Sequence, residues 1–224
     1  MNPWLLFDFD GTVANSIEKL RELINDLAPR YGYGQLTPER FAAMRDLPLT
    51  RAVRSFKMPL YKLGSAITII LNEYRKIIPE LEPCAGIVPV LNELKAMGIS
   101  LALISSNHTE NLHAFLERHG IKCFDWIEGT NGILKKHHNI RTQIRKHNLD
   151  KELVVYVGDE VRDIKSARKS GVRIISVAWG LHSEAHLRNH RPDYLVRTPS
   201  EIIPIVKDLM DKDFCSDAGI NLKN

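Results

Sequence analysis

Cysteine is scarce in this 224-residue chain. Cys84, Cys123 and Cys215 are odd in number, widely spaced and never in a Cys-x-x-Cys pair. That excludes a disulfide scaffold and reads as reduced thiols in a cytoplasmic protein. No run of about 18 apolar residues occurs, so neither a membrane-crossing helix nor a membrane partner is expected. The opening MNPWLLFDFDGT lacks a basic n-region, and Asp8 and Asp10 interrupt its apolar stretch, which argues against a signal peptide. Aromatic residues are 7% of the chain, and Trp4, Trp126 and Trp179 are dispersed. No aromatic-and-basic stripe offers bases a surface to stack on, so no nucleic-acid partner is expected. Gly32-x-Gly34 has no strand before it and is not a dinucleotide fingerprint.

What is present is ordinary in amount: 44% hydrophobic residues, a mean hydropathy of −0.20 and a net charge of +4. The length allows one generous domain, or one domain carrying a smaller insert. Charge is placed unevenly. Residues 15–80 hold 11 Lys and Arg against 7 Asp and Glu, leaving the remainder formally neutral. An anion-attracting surface and a solvated helical face account for so small a surplus equally well. Of the nine histidines, His137, His138 and His147 form a dense group that includes an adjacent pair. Adjacent side chains on a helix point in different directions, so they read as surface residues rather than zinc ligands.

Two grammars alternate along the chain. Residues 4–9 (WLLFDF) form a short apolar run suited to a buried strand. Residues 15–80 read as helical, broken by Gly and Pro, with Thr37-Pro38 offering a cap and a proline first turn. After Pro83, helix and strand alternate: a helix carrying Ile87, Val90, Leu91 and Leu94, a strand at 99–104, a helix from 109 to Gly120, and an extended piece at 123–127. There follow a helix at 138–148, a strand at 153–157, a helix from 161 closing at Gly171, and strands at 172–179 and 194–196. Thr198-Pro199-Ser200-Glu201 reads as a capping box, and the polar tail beyond Asp211 is expected to fray. Strands apolar on both faces, alternating with helices, indicate a parallel sheet covered on both sides. The expected architecture is an α/β, Rossmann-like core of residues 1–14 and 81–224, with an all-helical cap of residues 15–80 inserted after the first strand.

In such a sheet all carboxyl ends lie on one edge, where ligands bind. The first strand ends in Asp8-Phe9-Asp10-Gly11-Thr12, the second in Ser105-Ser106-Asn107, and the third in Gly158-Asp159-Glu160 with Asp163 beyond. One strand-end acid is usually a cap or turn residue; three oxygen-rich ends on one edge are a site. Carboxylates gathered there repel one another unless a cation neutralises them. Oxygen-only ligands favour a hard ion, so Mg²⁺ and, through it, a phosphate-bearing ligand are expected. Ser105 and the backbone N–H groups after it suit phosphate oxygens, and a lysine should balance the transferring group.

These segments resemble the motifs of the haloacid dehalogenase (HAD) superfamily. Asp8-Phe9-Asp10-Gly11-Thr12-Val13 is similar to its first motif, Ser105 to its second, and Gly158-Asp159-Glu160 with Asp163 to its fourth. Lys135 and Lys136 both fit the lone lysine of the third, and spacing to Gly158-Asp159 favours Lys136. The likeness spans essentially the whole chain and lies nearest phosphoglycolate-phosphatase-like members with a helical cap between the first two motifs.

The resemblance implies a Mg²⁺-dependent phosphatase acting on a small phosphorylated metabolite through an aspartyl-phosphate, as a monomer or homodimer. Asp8 would be the nucleophile and Asp10 the acid and base, with Ser105 and Lys136 holding phosphoryl oxygens. Asp8, Asp10 (through its backbone carbonyl), Asp159, Glu160 and Asp163 would supply the metal site. Gly11, Thr12, Ser106 and Asn107 are candidates for the phosphate cradle. Arg45 and Arg51 fall where relatives often carry substrate-facing residues, though surface ion pairs are the other reading. A sugar phosphomutase and a non-catalytic binding protein on the same fold are the alternatives; retention of both Asp8 and Asp10 weighs against the second.

Overall fold

The computed structural model describes residues 3–47, 51–52, 54, 60–129 and 136–217. Six strands form one parallel sheet: β1 (Trp4–Phe7), β2 (Ser100–Ser105), β3 (Trp126–Gly129), β4 (Val154–Gly158), β5 (Arg173–Val177) and β6 (Tyr194–Val196). Their spatial order is β3-β2-β1-β4-β5-β6, the order of a doubly wound Rossmann-like sheet. β1 sits in the middle, pairing Leu5 with Leu101 of β2 and with Val155 of β4. The chain order reverses between β1 and β4, so a crevice opens beyond their carboxyl ends.

Alternation along each strand divides the core in two. Leu5, Phe7, Leu101, Leu103, Val155 and Val157 face one layer, where α4 (Ile87–Ala96), α5 (Thr109–Arg118) and α9 (Ile202–Asp217) lie. Leu6, Ala102, Ile104, Val154 and Tyr156 face the other, covered by α6 (Lys136–Lys146) and α7 (Val161–Ser170). Each fully buried Leu, Ile or Phe contributes about 1.5–3 kcal/mol of transfer free energy, which explains why both faces of these strands are apolar.

Between β1 and α4 the described residues contain no strand. The chain forms α1 (Ile17–Tyr31), α2 (Pro38–Met44) and α3 (Leu60–Ile77), followed by a 3₁₀ turn at Ile78–Glu80. Thr37 Oγ1 accepts from Arg40 N at 3.3 Å and caps α2, with Pro38 in its first turn. Ala28, Tyr31 and Tyr33 with Ile24, Leu27 and Ile69 make a small separate core joining α1 to α3. α8 (Glu184–Asn189) completes the chain order before β6.

Several boundaries differ from the sequence reading. α6 starts at Lys136, two residues earlier than expected, and β3 starts at Trp126 rather than 123. Thr198 starts a 3₁₀ turn at Pro199–Glu201 instead of a reciprocal box, its Oγ1 donating to Glu201 Oε1 at 3.0 Å. α9 continues past Asp211 to Asp217; no Gly or Pro interrupts that stretch, so nothing stops helix propagation. His147 is half-buried and stacks on Trp126 at 4.3 Å. Cys84 and Cys123 are buried free thiols. No helix among the described residues is long and apolar enough to cross a membrane.

Candidate active site

The site begins where β1 runs out. Asp8 N donates to Val157 O at 2.8 Å, extending the β1–β4 pairing by one residue and placing Asp8 in the crevice. The chain then turns back on itself: Phe9 O accepts from Thr12, Val13 and Ala14 N at 3.2, 2.9 and 2.9 Å. Gly11 makes this turn possible with φ +69°, and a Cβ there would lie 2.2 Å from Asp159 Oδ2. Gly11→Ala therefore meets two penalties, left-handed strain of about 1–2 kcal/mol and displacement of Asp159. Its melting temperature is expected to drop by about 3–8 °C, with turnover at least about tenfold down. A calorimetric scan and a rate measurement check this.

β2 and β4 bring the remaining groups. Ser105 is buried, its Oγ accepting from Asn107 N at 3.1 Å. Asn107 Nδ2 donates to Asp10 Oδ2 at 2.7 Å. Asp159, 1% exposed, accepts from Thr12 Oγ1 at 3.3 Å and from Leu181 N at 2.7 Å. Lys136 Nζ lies 2.5 Å from Asp8 Oδ2 and also pairs with Asp163 Oδ1, beneath the Tyr156 ring. Asp163 in turn accepts from Glu160 N at 3.0 Å and so closes the first turn of α7. Lys135 lies outside the described residues.

Burial dominates the electrostatics. It pushes Asp8 up to about 6, against the pull of Lys136, with Asp163 adding repulsion. It pushes Asp10 up to about 6 as well, opposed by the donors Tyr74 and Asn107. Asp159 is raised well above the usual carboxylate range by burial and then by Glu160 and Asp163. Burial works against the Lys136 charge, but Asp163 and Asp8 outweigh it and hold the ammonium well above its ordinary value.

Asp8, Asp159 and Glu160 offer carboxylate oxygens that all lie within 4.8 Å of one another. Such a set is short of positive charge. Lys136 is committed to Asp8 and Asp163, and Arg162 pairs with Glu160 at 2.6 Å. The oxygen-only donors and their mutual repulsion fit a divalent cation. The Asp10 side chain bonds to Tyr74 and Asn107, which leaves the expectation for its backbone carbonyl as it stood, and Asp163 is taken up with Lys136 and the α7 turn.

Not every expected residue joins this cluster. Thr12 and Gly11 shape the Asp159 side of it, and Ser106 and Asn107 line the cleft above it. Arg45, expected to face a substrate, turns onto backbone: its Nε donates to Leu181 O at 2.5 Å and its Nη2 to Gly180 O at 2.7 Å. The neighbouring Asp46 accepts from Ser183 N at 2.9 Å and from Ser183 Oγ. Both groups thereby tie the segment after α2 to the loop that holds Asp159. Arg51 is exposed and forms no ion pair among the described residues.

Three participants escaped the sequence reading. Tyr74 of α3, 7% exposed, donates its hydroxyl to Asp10 Oδ1 from 64 residues away. Trp179 Nε1 donates to Thr12 O at 3.1 Å, supporting the turn after Asp10. Arg162 balances Glu160 within the acidic segment. Only Arg162 carried a local signal, its place between two acids.

The arrangement of acids on β1, a hydroxyl on β2, a lysine and further acids after β4 coincides with a match to the haloacid dehalogenase-like hydrolase family over residues 5–177. The chain belongs to this family. As a haloacid dehalogenase-like hydrolase it is 28% identical over 207 residues to phosphoglycolate phosphatase of Synechococcus elongatus, covering 92% of this chain and 98% of the relative. It is also 31% identical over 212 residues to pyrophosphatase PpaX of Oceanobacillus iheyensis, covering 91% and 96%. A haloacid dehalogenase-like family hydrolase from Streptococcus pneumoniae shares the fold at a TM-score of 0.77 with 23% identity, covering 91% of this chain and 98% of that one. The family match and the full-length likeness to enzymes named as phosphatases make this chain a hydrolase of phosphatase type.

Proposed function

We propose that this hydrolase is a Mg²⁺-dependent phosphatase of a small phosphorylated metabolite, phosphoglycolate being the first candidate, and that it works through an aspartyl-phosphate. The observation that carries the reading is the pairing of two carboxylates two residues apart, Asp8 buried and Asp10 half-buried, with one lysine on the first: Lys136 on Asp8, while Asp10 stands apart in bonds to Tyr74 and Asn107. A cation-only site has no use for the second carboxylate.

In this reading an Asp8 oxygen attacks phosphorus as the ester P–O bond breaks, and Asp10 gives its proton to the departing oxygen. Asp10, now a carboxylate, takes a proton from water, whose oxygen attacks the same phosphorus. The Asp8–phosphorus bond then breaks and inorganic phosphate leaves. Ser105 and Lys136 hold the phosphoryl oxygens, and Asp163 holds Lys136 in place. Tyr74 and Asn107 keep the Asp10 carboxyl oriented. Asp8, Asp159 and Glu160 would hold Mg²⁺, which supplies charge neutralisation for the phosphoryl group when bound. Residues 15–80 serve as a cap over the core of residues 1–14 and 81–224, shielding the crevice from water during transfer.

Hydrolysis of 4-nitrophenyl phosphate tests the reading. Turnover that needs Mg²⁺, stops with EDTA and is lost in Asp10→Asn is expected. A folded chain that hydrolyses neither this ester nor 2-phosphoglycolate in Mg²⁺ would sink it.

A further inference from the structure

Between α1, α3 and the strand ends lies a cleft of about 160 Å³. It is lined by Asp10, Asp159, Glu160 and Asn107 of the catalytic region, and by the apolar Ile17, Leu20 and Leu71 together with the hydroxyl-bearing Ser16, Tyr74 and Ser106. Two guanidinium groups also line it, Arg75 from α3 and Arg162 from α7. Their situations differ. Arg162 is engaged with Glu160 through Nη2, while its buried Nε has no partner. Arg75 makes no side-chain hydrogen bond or ion pair with any described residue, and Glu73, two residues before it on the same helix, is paired with Lys76 at 2.7 Å. Its backbone is nevertheless anchored: Asn111 Nδ2 of α5 donates to Arg75 O at 2.7 Å. This cation, unpaired among the described residues, is thus presented to the cleft from a fixed point.

A half-buried guanidinium without an anion among the described residues, in a cleft that also reaches Asp10, Asp159 and Glu160, calls for a ligand that carries a second negative charge besides its phosphoryl group. Charge-assisted, bidentate bonding is what a guanidinium does best, and it suits a carboxylate and a phosphate equally. The cleft is also small beside the roughly 300–1,000 Å³ of pockets for drug-sized ligands. A cleft of that volume suits a small ligand.

We infer that Arg75, with Arg162 beside it, forms a second anion subsite that selects substrates whose phosphoryl group is joined through only a few atoms to a carboxylate or a second phosphate. This rests on the phosphatase reading and narrows it to short, doubly anionic substrates. The phosphoryl end lies against Lys136, and the second anion takes Arg75 as its partner.

The test compares 2-phosphoglycolate and pyrophosphate, which carry a second anion, with 4-nitrophenyl phosphate, which does not. In Arg75→Gln the ratio of kcat/KM for the doubly anionic substrates to that for the aryl ester is expected to fall about tenfold or more, mainly through KM. Arg75→Lys should recover part of it, and Lys76→Gln, on the exposed side of the same helix, should leave the ratio unchanged. A fall confined to one doubly anionic substrate identifies which second anion the subsite takes. Equal losses on all three substrates, or no loss, would overturn the subsite. Calorimetric titration of 2-phosphoglycolate into the Asp8→Asn chain, with and without Arg75→Gln, reads the subsite without turnover. If the native chain hydrolyses nothing, the phosphatase reading falls, and that titration still decides the subsite through an about tenfold weaker binding or its absence.

Discussion

Asp8→Asn is expected to reduce phosphate-ester turnover by at least about 10³-fold while the protein stays folded. The change removes the attacking oxygen and leaves a side chain of nearly the same volume in the same place. Its effect on stability should be small and has a known direction. Asp8 is buried and repelled by Asp163, so neutralising it relieves a strain that Lys136 offsets in the native chain. Lys136 keeps its second partner, Asp163. In the absence of divalent ions the melting temperature should hold or rise slightly. Addition of Mg²⁺ should stabilise the native chain more than the variant, because one of three grouped carboxylates is gone. Turnover within tenfold of the native rate would remove Asp8 as the nucleophile.

Lys136→Met carries the largest expected loss of stability. The lysine side chain is 11% exposed and lies between Asp8 at 5% and Asp163 at 0%. Methionine matches its apolar stem but leaves two carboxylates buried without their cation. Breaking a buried pair from one side costs about 3–5 kcal/mol, which for a protein of this size lowers the melting temperature by about 6–20 °C. Activity should vanish as well, since phosphoryl oxygens lose their fixed positive charge. Lys136→Arg separates the two effects: the charge remains and stability should largely return, while the bulkier planar group misplaces Asp8 and turnover stays low. A Lys136→Met chain that melts with the native protein would mean the ion pairs contribute little. A Lys136→Arg chain with native turnover would mean that charge alone, without ammonium geometry, is sufficient.

The acidic cluster could be read from the chain because its members are neighbours in two senses. Within each segment they are covalently close, as Asp8 and Asp10 or Asp159, Glu160 and Asp163. Between segments, parallel topology carries every strand end to one edge, and continuous apolar runs reveal that topology without any contact being known. Lys136 was legible only to within one residue. The two lysines are adjacent, and the choice depends on where α6 begins and on an ion pair to Asp8 spanning 128 residues.

By itself, then, the sequence determined the sheet, the strand-end chemistry and the helical nature of the described residues between 15 and 80, because burial on both faces and turn chemistry are local patterns. The placement of Tyr74 on Asp10, of Arg45 and Asp46 on the 180–183 loop, and of Arg75 in the cleft was decided only by tertiary structure. On an amphipathic helix a tyrosine or arginine looks the same whether it meets solvent, a neighbouring helix or an active site. What selects among these is the docking of α3 and the segment after α2 against the strand ends, which depends on surfaces brought together from more than 60 residues apart.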